Sequence, residues 1–120
     1  MLTWHNLTAE PQIEQIEQQS YTTPCLIFKH STRCSISNTA LQRLQRQWNL
    51  DTQSKLIPYY LDLLQHRTVS NHVAQKFEVE HQSPQILLIS KGRCIFSQSQ
   101  LEINMAEISE QLSLLPINTI

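Results

Sequence analysis

Four consecutive apolar residues, Ile86-Leu87-Leu88-Ile89, run through Ser90 into Lys91-Gly92 and on to Cys94-Ile95-Phe96. An unbroken apolar run of this length reads as a strand buried on both faces rather than one. Lys91-Gly92, which holds the only glycine of the chain, reads as the turn of a hairpin into a second strand. A strand of this kind needs cover above and below.

The rest of the chain supplies that cover. Ala9-Glu10-Pro11 opens a helix through about Gln19, with Pro11 in the first turn, Glu10 favouring the helix dipole, and Ile13 and Ile16 as a narrow apolar stripe. Thr22-Thr23-Pro24 breaks the pattern, and residues 24–30, with the core Cys25-Leu26-Ile27-Phe28, read as a buried strand. Ile36, Ala40, Leu41, Leu44 and Trp48 recur at spacings of three and four and predict an amphipathic helix from Ser35 to about Trp48. Asn49 to Ser54 reads as a polar loop, and Lys55 to Leu64 as a second strand. Pro58 in that strand cannot donate to a ladder, so the strand belongs at a sheet edge or a bulge. Residues 68–78 predict a helix with Val69, Val73, Ala74 and Phe77 inward, and Asn104 caps a last helix facing the core through Met105, Ile108, Leu112 and Leu115.

Two strands joined by a helix run parallel through a right-handed crossover, and the hairpin adds antiparallel strands. The expectation is an α/β chain with a mixed four-stranded sheet and helices on both faces. This three-layer arrangement resembles the thioredoxin-like fold. That resemblance implies the strand order 55–61, 24–30, 85–90, 94–98, with Pro58 on an edge strand.

At 120 residues the chain suits one domain, 1–120, with a single core. Hydrophobic residues make up 40% and charged residues 16%, yet the apolar ones arrive in dense periodic blocks, as in a folded domain. A formal charge of -1 supplies no basic footprint for nucleic acid and no polybasic patch for a membrane. The apolar runs are shorter than a membrane span, and no signal-like segment precedes Pro11. A cytoplasmic protein is expected. Three cysteines without a CxxC pair or a His-Cys cluster argue against a disulfide framework and a structural metal site.

Cys34 stands where the strand ending Lys29-His30 passes through Ser31-Thr32-Arg33 into a helix. Backbone N–H groups and the positive dipole end of a helix favour thiolate over thiol there. The competing reading, a cysteine packed as a small hydrophobe, fits poorly with polar residues on both sides. In Cys34-Ser35-Ile36-Ser37 a serine takes the place of a second cysteine three residues on. Without a resolving thiol, a mixed disulfide on Cys34 waits for an external thiol, which is a monothiol mechanism. Ser37 is expected to hydrogen-bond the sulfur, or, as serines near helix starts commonly do, to satisfy first-turn backbone groups. Arg33 adds positive charge. His30 and Thr32 complete the candidate set, His30 as a substrate contact, although Lys29 and His30 read equally well as surface residues at a strand end.

Ser83-Pro84 precedes the apolar strand. Few X–Pro bonds are cis, but a Ser-Pro between a helix and an antiparallel strand matches the cis-proline loop of thioredoxin folds. A cis bond here would hold the Ser83 backbone extended beside Cys34, ready to pair with substrate. Cys25 and Cys94 fall two ladders apart, roughly 9 Å at strand spacing, beyond disulfide reach. Both read as packing residues.

Phe28-Lys29-His30-Ser31-Thr32-Arg33-Cys34-Ser35-Ile36-Ser37 and His81-Gln82-Ser83-Pro84-Gln85-Ile86 resemble the YtxJ family of monothiol bacilliredoxins, as do Pro58-Tyr59-Tyr60-Leu61 and Val73-Ala74-Gln75-Lys76-Phe77. Ser35 departs from members that carry proline after the cysteine. The resemblance implies that Cys34 takes a low-molecular-weight thiol, bacillithiol or glutathione, from S-thiolated client proteins, with Pro84 as the cis-proline and no bound cofactor. Two rival readings keep the same cysteine: a non-catalytic thioredoxin-like binding or stress module, and a thiol oxidation sensor.

Overall fold

A computed structural model describes residues 2–116. The first strand, β1 (His5–Asn6), is followed by helix α1 (Pro11–Gln19), strand β2 (Cys25–His30), helices α2 (Ser35–Gln47) and α3 (Leu50–Lys55), and strand β3 (Ile57–Asp62). Helix α4 (Arg67–Phe77), strands β4 (Gln85–Ser90) and β5 (Arg93–Ser99) and helix α5 (Met105–Ser113) follow, with a 3₁₀ turn at Gln100–Glu102.

The described strands form one sheet in the order β1-β3-β2-β4-β5. β2 pairs parallel with β3 and antiparallel with β4, and β4 pairs antiparallel with β5. The four expected strands lie side by side in the expected order. The sheet has a fifth, because His5 and Asn6 pair parallel with Tyr59 and Tyr60. Two residues are too few to leave a periodic signal in the sequence.

β1 therefore displaces β3 from the edge position expected for Pro58, and the alternation of backbone groups accommodates the proline instead. Ile57 N donates to Pro24 O and Leu63 N donates to His30 O, so the odd-numbered residues of β3 face β2. Pro58 faces the other way, where β1 reaches only Tyr59 and Tyr60. Its missing N–H costs the sheet nothing.

Side chains of β2 alternate between two cores, as the pleat requires. Cys25 and Ile27 join Leu7, α1 (Ile13, Ile16), α4 (Val69, Val73, Phe77), Leu87 and Ile89 on one face. Leu26 and Phe28 join α2 (Ala40, Leu44), Trp48, α5 (Met105, Ile108), Ile86 and Leu88 on the other. All six residues of β2 and all six of β4 are buried, which is why both read as unbroken apolar runs.

The polar stretch read as a loop, Asn49 to Ser54, is instead largely helical. Asn49 caps α3 by accepting from Thr52 N at 2.8 Å, and Thr52 is its only buried residue. A one-sided turn of this kind carries no apolar period. Asn104 caps α5 as expected, accepting from Ala106 N and Glu107 N. Lys91 and Gly92 both have positive φ, 54° and 77°, the pattern of a type I′ hairpin turn. No helix among the described residues is long and apolar enough to cross a membrane.

Candidate active site

Cys34 is the N-cap residue of α2, with extended backbone at φ -109°, ψ 120°. Its N–H donates to Ser31 O at 3.1 Å and its carbonyl accepts from Asn38 N at 3.0 Å. The side chain is half-buried and makes no cap hydrogen bond. The sulfur thus stays unengaged by the cap, at the helix end where backbone donors converge.

Ser37, in the first turn of the same helix, is fully buried. Its hydroxyl accepts from Ser31 N at 3.0 Å and lies 2.6 Å from His30 Nδ1. No hydrogen bond joins it to Cys34, so the expected Ser37–sulfur bond is replaced by a tie between helix, loop and strand end. The serine satisfies a backbone N–H, but that of the preceding loop.

The sequence suggested a surface position for His30, with substrate contact as its role. The structure buries it at 2% exposure and Lys29 at 0%, because both faces of β2 are covered. His30 cannot reach substrate directly. Its ring lies among Phe28 and Tyr60, and it is the register partner of Asp62. Burial holds the imidazole below the ordinary histidine range, and the Asp62 carboxylate works against that shift.

Thr32 and Arg33 are exposed on the loop before the cysteine. Arg33 enters no ion pair among the described residues, so its contribution is a solvated charge beside the thiol rather than a fixed contact.

The Ser83–Pro84 peptide is cis. Lys29 is the register partner of Gln85, which sets Pro84 one residue further along, at the end of the sheet where β2 gives way to Ser31–Cys34. Pro84 is buried, Ser83 half-buried, and Pro84 O accepts from Gln100 N at 2.9 Å. The loop before it is braced from both sides. Gln85 Nε2 donates to Glu80 O at 3.0 Å while its Oε1 accepts from Gln82 N at 3.3 Å. Lys29 Nζ donates to Ser70 O at 3.1 Å and lies 3.3 Å from His81 Nδ1. Sequence reasoning missed Lys29, His81, Gln85 and Asp62. The one available signal was a lysine inside an otherwise apolar strand.

Cys25, Cys34 and Cys94 are all free. Cys25 is opposite Ile89, which is opposite Cys94, so the two lie two ladders apart as the spacing predicted. Cys25 is fully buried, and burial pushes its thiol up to about 12. Burial also raises the Cys94 thiol, against the pull of hydrogen bonds with the Phe96 and Leu88 backbone. Neither is suited to nucleophilic work. Among the described residues no group of His, Cys, Asp or Glu is arranged to hold a metal.

Solved structures repeat this architecture. A thioredoxin-fold protein matches with a TM-score of 0.75 at 26% identity, covering 90% of this chain and 91% of that one. Thioredoxin from Malassezia sympodialis superposes with a TM-score of 0.72 at 11% identity, covering 92% and 89% of the two chains. Fasciola hepatica thioredoxin gives 0.68 at 13% identity, covering 91% and 96%. At those lower identities the likeness is one of fold. The family model for the monothiol bacilliredoxin BrxC matches residues 5–108, a span that takes in Cys34, Ser37 and the cis-proline. With a lone half-buried thiol at a helix N-cap and a thioredoxin fold around it, the chain belongs to the monothiol bacilliredoxin BrxC family of thiol oxidoreductases.

Proposed function

We propose that this protein removes a low-molecular-weight thiol, bacillithiol or glutathione, from mixed disulfides on client proteins through Cys34. The Cys34 thiolate attacks the small-thiol sulfur of the client's mixed disulfide. A Cys34–small-thiol disulfide forms as the client's S–S bond breaks, and the client sulfur leaves as a thiolate that takes a proton from solvent. A second molecule of the small thiol then attacks that adduct, freeing Cys34 and releasing the symmetric small-molecule disulfide. In total one free small thiol is consumed: the client sulfur returns to thiol as that small thiol is oxidised into the symmetric disulfide with the one taken from the client. No bound metal or nucleotide enters either step.

One observation carries this reading. Among the described residues, Cys34 is the single cysteine at the active-site end of the sheet, and the Ser37 position that would hold a resolving cysteine is a hydroxyl already engaged by Ser31 and His30. Resolution from within is chemically closed, so release requires an external thiol. The cis Ser83–Pro84 peptide at the same end of the sheet supports the same reading, as the place beside Cys34 for a client segment to pair.

Mass spectrometry of Cys34 after mixing with a bacillithiolated client tests it. The adduct should move to Cys34, disappear on addition of free bacillithiol, and stay on the client with Cys34→Ser. A binding module would associate with the client and leave its adduct in place. A sensor would acquire the small thiol only from oxidant plus free thiol. Running the same experiment with a glutathionylated client identifies which small thiol is preferred.

A further inference from the structure

Ser37 Oγ has one hydrogen to give and two lone pairs to fill. Ser31 N–H occupies one lone pair at 3.0 Å, and His30 Nδ1 lies 2.6 Å away. Cys34 is the N-cap of the helix on which Ser37 is the third residue. Side chains at these two positions adjoin across the first turn of a helix.

We propose that Cys34, Ser37 and His30 form a proton relay, with His30 a positioning residue that draws the thiol proton away through the Ser37 hydroxyl. The proposal rests on Cys34 as the reacting thiol. The proton on Cys34 Sγ passes to Ser37 Oγ as the proton on Ser37 Oγ passes to His30 Nδ1. Afterwards Ser37 accepts from Ser31 N–H and His30 Nδ1–H and donates to the thiolate, so both lone pairs and the hydrogen are used. Charge is conserved, a neutral thiol and imidazole becoming thiolate and imidazolium, and no oxidant or reductant takes part. The Cys34–Ser37 contact is open in this structure, and contacts of this kind commonly close only with substrate in place.

Burial works against charge on the imidazole, and the neighbouring side chains supply what opposes it. Facing the imidazole are Asp62 and Tyr60 from β3 and Ser37 from α2, with Cys34 at that helix's N-cap. Asp62 is the anion that favours imidazolium, and its own Oδ1 is fixed by Leu64 N and Gln65 N. Lys29, next in sequence, points to the opposite face, toward Ser70 and His81, and does not compete.

Nitrogen-15 NMR of the imidazoles tests the relay in the unaltered protein. Capping Cys34 with methyl methanethiosulfonate removes the thiol proton, and the His30 midpoint should fall by about one pH unit. That difference should vanish in Ser37→Ala. Iodoacetamide labelling of Cys34 against pH supplies a second readout. His30→Gln and Ser37→Ala should each raise the labelling midpoint by about one unit, roughly tenfold less thiolate at neutral pH, and the double variant should go no further than either. An unmoved His30 midpoint on capping overturns the relay, as do unshifted or additive labelling midpoints. If Cys34 labels fast while those results fail, the relay alone falls. If Cys34 labels no faster than Cys94 in the native protein, the functional reading falls with it.

Discussion

Lys29 Nζ lies 3.3 Å from His81 Nδ1, inside a sheet where the lysine is fully buried and no carboxylate pairs with it among the described residues. Its hydrogen-bonding partners are neutral: the Ser70 carbonyl and an imidazole held in its uncharged form by burial and by the nearby Lys29 and Arg67 charges. The amine ties β2 to the first half of α4 and to the loop that leads to cis-Pro84. Holding a cation there is expensive.

That cost is measurable as a pH dependence. Burial lowers the Lys29 amine from 10.5 to about 8. Below pH 8 the amine is charged in both folded and unfolded chains, and folding bears the full penalty, on the order of 3 kcal/mol from that shift. Between pH 8 and 10.5 the folded amine is neutral while the unfolded chain still binds its proton, so this contribution to stability rises with pH. Lys29→Met should therefore stabilise the protein at pH 7 by about 1–3 kcal/mol, allowing for the lost hydrogen bonds. The advantage should shrink toward pH 10. Urea midpoints of the two proteins across pH 7–10 check this, and taking their difference cancels the Cys25 and tyrosine titrations common to both. An advantage that stays constant across pH 7–10 would show that the amine keeps its proton in the fold as in the unfolded chain, and that burial does not lower it.

Ser37→Cys converts the site to a dithiol. An N-cap residue and the third residue of the helix lie within the Cα range a disulfide spans, so the introduced thiol should displace the small thiol from Cys34 and leave a disulfide between Cys34 and the new side chain. The accumulating product then changes from a Cys34 adduct to an internal disulfide, lighter than the reduced chain by the two thiol hydrogens. The change also weakens the acceptor for Ser31 N–H, at a cost of about 1 kcal/mol. Persistence of the Cys34 adduct in the variant would mean the two side chains cannot meet, which also bears against a hydroxyl relay between them.

The layers were legible because β2 and β4 are apolar almost without interruption and the helices are amphipathic at a helical spacing. Both signals are set by burial. β1 and α3 were not legible because they draw on other sources: two backbone pairs with Tyr59 and Tyr60, and one asparagine cap. At the site, Cys34 and Pro84 could be found from chain order alone, since their positions follow from where a strand ends or begins. His30, Lys29 and Asp62 could not. Their roles depend on which face of the sheet each side chain takes and on what a distant segment places there, and a polar residue at the end of a strand reads the same in sequence whether exposed or buried.

Gly92 turns the hairpin at φ 77° after Lys91 at 54°, and its N–H donates to Ser20 Oγ at 2.9 Å. A Cβ there would come within 2.8 Å of the Tyr21 hydroxyl oxygen. The tyrosine is 51% exposed and can swing aside, so the backbone strain decides the effect. Gly92→Ala should lower stability by about 1 kcal/mol, seen as a lower urea midpoint. Cys34 labelling should be unchanged, since the turn is at the opposite end of β4 from Pro84. A shift in Cys34 labelling would reveal coupling along the strand.

The three cysteines offer an internal comparison of thiol environments within one molecule. Cys34 is half-buried at a helix N-cap, Cys94 is half-buried on β5 with its Sγ 3.4 Å from Phe96 O, and Cys25 is sealed in the core at 0% exposure. With its thiol pushed up to about 12 and no access to reagent, Cys25 should react with iodoacetamide only when the sheet opens. Its labelling rate then follows the population of the unfolded state and rises steeply with urea. Cys34 should label from the native state at a rate almost independent of mild urea, with Cys94 slower than Cys34 because burial raises its thiol. Residue-resolved mass spectrometry over a urea series separates the three. Native-state labelling of Cys25 at a rate matching Cys34 would mean that the α1 side of the sheet is open to solvent, and the two-core packing described for β2 would have to be abandoned.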